Sequence, residues 1–75
     1  MFDWNYKRND TKKHYAVYLV TETYSGFTDR EFIGETFAVS PEQAERFVSY
    51  RNGDNGDRVL HYNGYDCFYE AEEIS

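Results

Sequence analysis

Four residues near the end of the chain have types and a spacing suited to recognition. Asp66, Phe68, Glu70 and Glu72 alternate with Tyr65, Cys67, Tyr69 and Ala71. In an extended strand, residues two apart project to one side at intervals of ~6.6–6.8 Å. The three carboxylates would then form a row with Phe68 inside it. One DNA strand carries a charge about every 3.4 Å, so two phosphate steps nearly match two residues of strand. Such a row could present carboxylates where a basic groove accepts phosphates, with Phe68 as an apolar anchor. The plainer reading is a solvated acidic face that protects an edge strand from pairing.

Other chemistry has less to stand on. His14, His61 and Cys67 are the soft-metal candidates, and their spacing fits no zinc signature. A structural histidine and a small, inert, buried thiol are the expectation, with no metal and no cofactor. The run Asn52-Gly53-Asp54-Asn55-Gly56-Asp57 has calcium-loop residue types. It lacks the spacing and terminal glutamate of an EF-hand and reads as a loop of turn residues. No glycine-rich phosphate loop and no nucleophile with a spaced base occurs, so no catalytic residue is expected and the chain reads as a non-enzyme.

Charge narrows the partner class. Met1–Lys13 hold four basic and two acidic residues, a balance of +2, whereas His14–Ser75 hold four basic and twelve acidic residues, a balance of −8. The acidic part repels nucleic acid and attracts basic clefts. Eight tyrosines invite base stacking, but the net charge of −6 opposes direct nucleic-acid binding. No apolar run approaches the ~20 residues of a membrane span. The basic start is not followed by an apolar stretch, as a signal peptide would require, and a lone cysteine suits a reducing, cytoplasmic setting.

The elements that must position these residues follow from local pattern. Residues 1–13 read as a basic arm carrying Phe2, Trp4 and Tyr6, and residues 14–75 as one small α+β domain. His14–Tyr24 reads as a strand with Tyr15, Val17 and Leu19 on one face and Ala16, Tyr18 and Val20 on the other. Apolar residues on both faces mark a central strand. The turn composition of residues 25–29 leads into a second strand, Arg30–Val39, paired antiparallel with the first.

Ser40-Pro41-Glu42-Gln43 is a capping box with proline at the first helical position. Ala44, Phe47, Val48 and Arg51 then share the predicted inner face, with Glu42, Glu45 and Ser49 turned outward. Asn52-Gly53 ends the helix. Asp57–Tyr62 and Tyr65–Glu72 are the last two strands, joined through Asn63-Gly64 in an expected type I′ turn. The order is ββαββ: a four-stranded, mainly antiparallel sheet with one helix on one face.

Three segments carry a family resemblance. They are Thr21-Glu22-Thr23 at the end of the first strand, Val39-Ser40-Pro41-Glu42-Gln43-Ala44 into the helix, and Gly56-Asp57-Arg58-Val59-Leu60 after it. The span from Tyr15 to about Phe68 resembles the DpnD/PcfM-like small proteins of mobile elements, a family whose resemblance implies a ββαβ fold and no defined activity. In size, acidity and lack of catalytic motifs the chain is also similar to phage-encoded inhibitors of host defence, anti-CRISPR proteins among them.

The function expected from these features is inhibition by mimicry. Glu22, Asp29, Glu31, Glu35, Asp54, Asp57, Asp66, Glu70, Glu72 and Glu73 would replace phosphates, and Phe68 and tyrosines would add apolar contact. The partner would be a basic nucleic-acid-binding protein such as a CRISPR effector. The alternative is a structural module that forms a homodimer or larger oligomer through an aromatic sheet face, burying Tyr18, Phe32 or Phe68.

Overall fold

The computed structural model describes residues 12–74. The expected N-terminal arm lies almost wholly outside the described residues. Lys13 itself opens the first strand.

Four strands form one sheet: β1 (Lys13–Thr23), β2 (Thr28–Ala38), β3 (Val59–Tyr62) and β4 (Tyr65–Glu73), with helix α1 (Pro41–Arg51) between β2 and β3. The spatial order is β2-β1-β4-β3, and every neighbouring pair is antiparallel. The ββαββ arrangement expected from the sequence is therefore the one observed. β1 is central, in keeping with its apolar residues on both sides. β4 is interior too, paired with β1 along its length and with β3 from Tyr65 to Phe68. Asp66 therefore lies where β4 is paired on both sides, whereas Glu70 and Glu72 lie beyond the reach of β3.

The helix lies on the face of Tyr15, Val17 and Leu19, where the core forms with Ala38, Ala44, Val48 and Tyr69. Strand β2 meets this face through a bulge. Val17 pairs with Gly34 but Tyr18 pairs with Phe32, leaving Ile33 as the extra residue. A bulge of this kind reverses the alternation beyond it. Gly34, Thr36 and Ala38 thereby turn toward the helix, where a Cβ at Gly34 would stand 3.9 Å from the Val48 side chain. Phe32 and Phe37, five residues apart, come to share the opposite face.

The helix begins as its sequence dictates. Ser40 Oγ accepts from the Gln43 amide at 3.2 Å. Gln43 Oε1 accepts from the amide of Val39 at 3.0 Å rather than that of Ser40, so the reciprocal half of the capping box is displaced by one residue. The buried face keeps only two of the four residues that periodicity selects. Ala44, Val48 and Ser49 are buried, while Phe47 is 41% exposed. Arg51 points outward and donates to the Glu35 carbonyl at 3.1 Å.

The reason is polar. Ser49 Oγ donates to the Asp57 carbonyl at 2.6 Å. Glu45 accepts from the Ala71 amide through Oε2 and from Arg58 Nη1 through Oε1, both at 3.1 Å. β3 is short, so it leaves the outer edge of β4 unpaired after Phe68. There the Arg58 carbonyl takes the Tyr69 amide at 2.9 Å, and Glu45 takes the next outward amide. Asp57 and Arg58, expected within the third strand, instead lie just before it, with their carbonyls accepting from Ser49 and Tyr69.

The loop after the helix is fixed from beneath. The buried Tyr69 hydroxyl donates to Asp54 Oδ2 and accepts from Asn52 Nδ2. At the β3–β4 turn only Gly64 has positive φ, at 97°. That is the sign pattern of a type II turn, not the expected type I′.

Candidate functional site

The face of the sheet away from the helix bears the candidate site. Strand pairing puts five cross-strand rows on it, and four contain a predicted site residue. Glu35, Ala16 and Glu72 form one row, and Phe32, Tyr18 and Glu70 the next. Arg30, Val20, Phe68 and Val59 follow, then Thr28, Glu22, Asp66 and His61. The fifth row, at the near end, pairs Phe37 with His14.

Among the described residues five carboxylates, Glu22, Glu35, Asp66, Glu70 and Glu72, therefore share this surface with one arginine. With both histidines neutral the balance of these residues is −4. The other candidates lie elsewhere. Asp29 and Glu31 on β2, and Glu73 on β4, alternate to the helix side, and Asp54 and Asp57 sit in the loop over β4. The expected acidic residues thus divide between two sides of the sheet and do not make one patch.

The space between the carboxylates is apolar. Phe32, Phe37 and Val59 are 53%, 59% and 53% exposed. Tyr18 meets Phe32 edge-on with ring centroids 5.7 Å apart, and Phe68 lies between Val20 and Val59. An antiparallel sheet ordinarily turns a polar face to water. Here a stripe of aromatic and aliphatic side chains crosses all four strands, with charge on both sides.

Most of these carboxylates have a partner on the same face. Arg30 Nε donates to Glu70 Oε1 at 2.8 Å, and its Nη2 lies 3.5 Å from Glu72 Oε1. The same guanidinium carbon sits 3.6 Å from the centre of the Tyr18 ring. The hydrogen bond to Glu70, reinforced by the nearby charges of Glu70 and Glu72, holds the guanidinium above its ordinary pKa against a smaller opposing effect of desolvation. His14 Nε2 is 2.8 Å from Glu35 and its ring stacks on Phe37 at 4.6 Å. His61 Nδ1 is 2.9 Å from Asp66, which also accepts from the Tyr24 hydroxyl at 3.4 Å. On the helix side, Lys13 approaches Glu73 at 3.9 Å.

Sequence reasoning finds Asp66, Phe68, Glu70 and Glu72 as a row, names Tyr18 and Phe32 only for the alternative oligomer, and misses Arg30, Phe37 and Val59. Arg30, Tyr18, Phe32, Phe37 and Val59 complete the face. The apolar residues on both sides of β1 were the available signal for Tyr18. Nothing in the alternation of β2 signals that Phe32 and Phe37 coincide, because the bulge decides it.

Cys67 is buried on the helix side, 3.5 Å from Thr21 Oγ1. Among the described residues no group of three or more His, Cys, Asp and Glu side chains could hold a metal ion, and no helix is long and apolar enough to cross a membrane. No family model, curated protein or solved structure matches the chain.

Proposed function

We propose that this chain is a non-enzymatic binding protein that docks its open sheet face on a cationic protein surface. The observation that carries this reading is the composition of one continuous face among the described residues: an apolar stripe, exposed at Phe32, Phe37 and Val59 and covered at Val20, with five carboxylates and one arginine around it. Interfaces combine an apolar centre with a polar rim. A surplus of negative charge selects a positive partner and speeds its capture.

The partner class is a basic nucleic-acid-binding protein, whose groove the carboxylates occupy in place of phosphates. Likeness in size and acidity to phage-encoded inhibitors supports a host defence protein, such as a CRISPR effector, as that partner. Glu22, Glu35, Asp66, Glu70 and Glu72 are the contacting carboxylates, with Phe68, Phe32 and Phe37 as apolar contacts. Asp29, Glu31, Asp54, Asp57 and Glu73 contribute to the long-range field alone.

A direct test is competition. The tagged protein should retain a basic protein from a bacterial lysate, and added duplex or single-stranded nucleic acid should release it. Raising salt should weaken the complex, since exposed charges are screened over about 10 Å at 0.1 M. The triple variant Glu22→Lys, Glu70→Lys and Glu72→Lys should lose the partner. Retention that ignores both salt and nucleic acid would overturn the proposal.

The exposed phenylalanines favour one further reading, a homodimer closed through the same face. Two copies would then bring two surfaces of −4 together, so charge opposes it. Light scattering decides: a dimer dispersed by Phe32→Ser would support that second reading, and a monomer the first.

A further inference from the structure

The open face already holds one guanidinium, and how it is held indicates what the face accepts. The central guanidinium carbon of Arg30 lies over Tyr18, 3.6 Å from the ring centre. Glu70 takes its Nε hydrogen at 2.8 Å, and Glu72 stands 3.5 Å from Nη2. An aromatic plane beneath and two carboxylates at the rim are the elements that distinguish arginine from lysine. A planar fork can stack and bond to carboxylates at the same time, whereas an ammonium ion is a compact, strongly hydrated charge.

We infer that Tyr18, Glu70 and Glu72 form an arginine-recognising cradle, occupied by Arg30 in the free protein and by an arginine of the partner in the complex. This rests on the docking reading above and narrows it to partners whose cationic surface presents arginine.

The exchange is feasible on geometric grounds. The Arg30 side chain is 42% exposed and its two carboxylates 48% and 62%. Arg30 stands on β2, an edge strand among the described residues. Phe32, Val20 and Phe68 are its neighbours on the face and would border an incoming arginine as well. Arg30 keeps the cradle from standing empty and sets a threshold: a partner must offer enough further contact to displace it. Isolated lysines and diffuse positive charge do not meet that threshold.

The test uses hexa-arginine and hexa-lysine peptides as probes, with affinities measured by calorimetry at one salt concentration. The readout is the ratio of the two affinities, which cancels the change in net charge. In the unaltered protein Arg30 competes with the peptide for the cradle, so the ratio should lie above one but below its value in Arg30→Ala. Arg30→Ala vacates the cradle, and the ratio should rise to about five, the scale of one stacked cation at a partly exposed site. Adding Tyr18→Leu to that variant should bring the ratio down to near one while keeping an apolar residue in the sheet. A second measurement needs no substitution: the Arg30 Nε–H resonance should shift on titration with hexa-arginine and stay in place with hexa-lysine.

A ratio that does not rise in Arg30→Ala, or an Arg30 resonance indifferent to hexa-arginine, would overturn the cradle. Equal, salt-sensitive binding of both peptides by every variant would overturn it too, while leaving the broader docking reading intact. Failure of both peptides to bind at all would count against both.

Discussion

Replacing Glu45 with alanine should damage the fold far more than a helix surface residue normally would. Its side chain is 13% exposed and makes two hydrogen bonds, each 3.1 Å long. The bond to Arg58 is partly solvated and contributes under about 1 kcal/mol. The bond to the Ala71 amide matters more. Without it a main-chain donor on the outer edge of β4 loses its partner, which costs about 1–3 kcal/mol. The expected total is about 2–3 kcal/mol, and in so small a domain each kcal/mol moves Tm by about 4–8 °C. Glu45→Gln keeps an acceptor for Ala71 and should lose only about 1 kcal/mol.

Phe47 supplies the control. Phe→Ala at a fully buried site costs about 3–5 kcal/mol, but Phe47 is 41% exposed and should lose only about 1 kcal/mol. The assay is urea unfolding followed by circular dichroism, with both variants measured beside the unaltered protein. Hydrogen exchange at Ala71 should also accelerate in Glu45→Ala. If Phe47→Ala proves the more destabilising substitution, the helix presents its periodic face to the sheet, and Glu45 does not hold the outer edge of β4.

Alkaline pH should weaken the fold through Tyr69. Burial, and then the hydrogen bond to Asp54, raise its pKa above the ordinary 10.0. The folded state thus keeps a proton that the unfolded chain releases, so the contribution is complete below pH ~10 and declines as pH climbs through the folded value. Tyr69→Phe should reduce that alkaline fall in the urea midpoint, leaving the part due to Tyr62, which desolvation also shifts upward. Ser40→Ala should cost about 1 kcal/mol by removing the acceptor for the Gln43 amide, readable as a lower thermal midpoint with an unchanged folded spectrum. Cys67 should resist iodoacetamide in the folded protein and react on unfolding, because its thiol is buried; rapid labelling under native conditions would refute that placement.

Where local chemistry and one period are enough, the sequence is readable. The strand β1 has apolar residues on both faces and is central. Ser40-Pro41 starts the helix at Pro41, and Asn52-Gly53 ends it after Arg51. The alternation of Tyr65 to Glu72 places Phe68 and three carboxylates together.

The failures have separate physical causes. Counting apolar residues puts Phe47 inside and Ser49 and Glu45 outside, yet a polar side chain can be buried wherever a main-chain group needs it. Ser49 serves the loop carbonyl of Asp57, and Glu45 serves an amide left by a short β3. These needs arise from tertiary contacts and leave no local mark. The pairing of Arg30 with Glu70 and Glu72 joins residues 40 and 42 positions apart, through a strand register that one extra residue adjusts. An acidic patch expected without that register gathers Asp29 and Glu31 onto the same side as residues they oppose.

That extra residue gives β2 one place where the chain can shorten without penalty to the pattern around it. With Ile33 deleted, Phe32 and Gly34 become consecutive and still stand opposite Tyr18 and Val17, so the ladder becomes regular and every remaining side chain keeps its side. What goes is the Ile33 side chain packed against the core and the added local twist. A single-codon deletion at this point should therefore be tolerated better than one elsewhere in the strand.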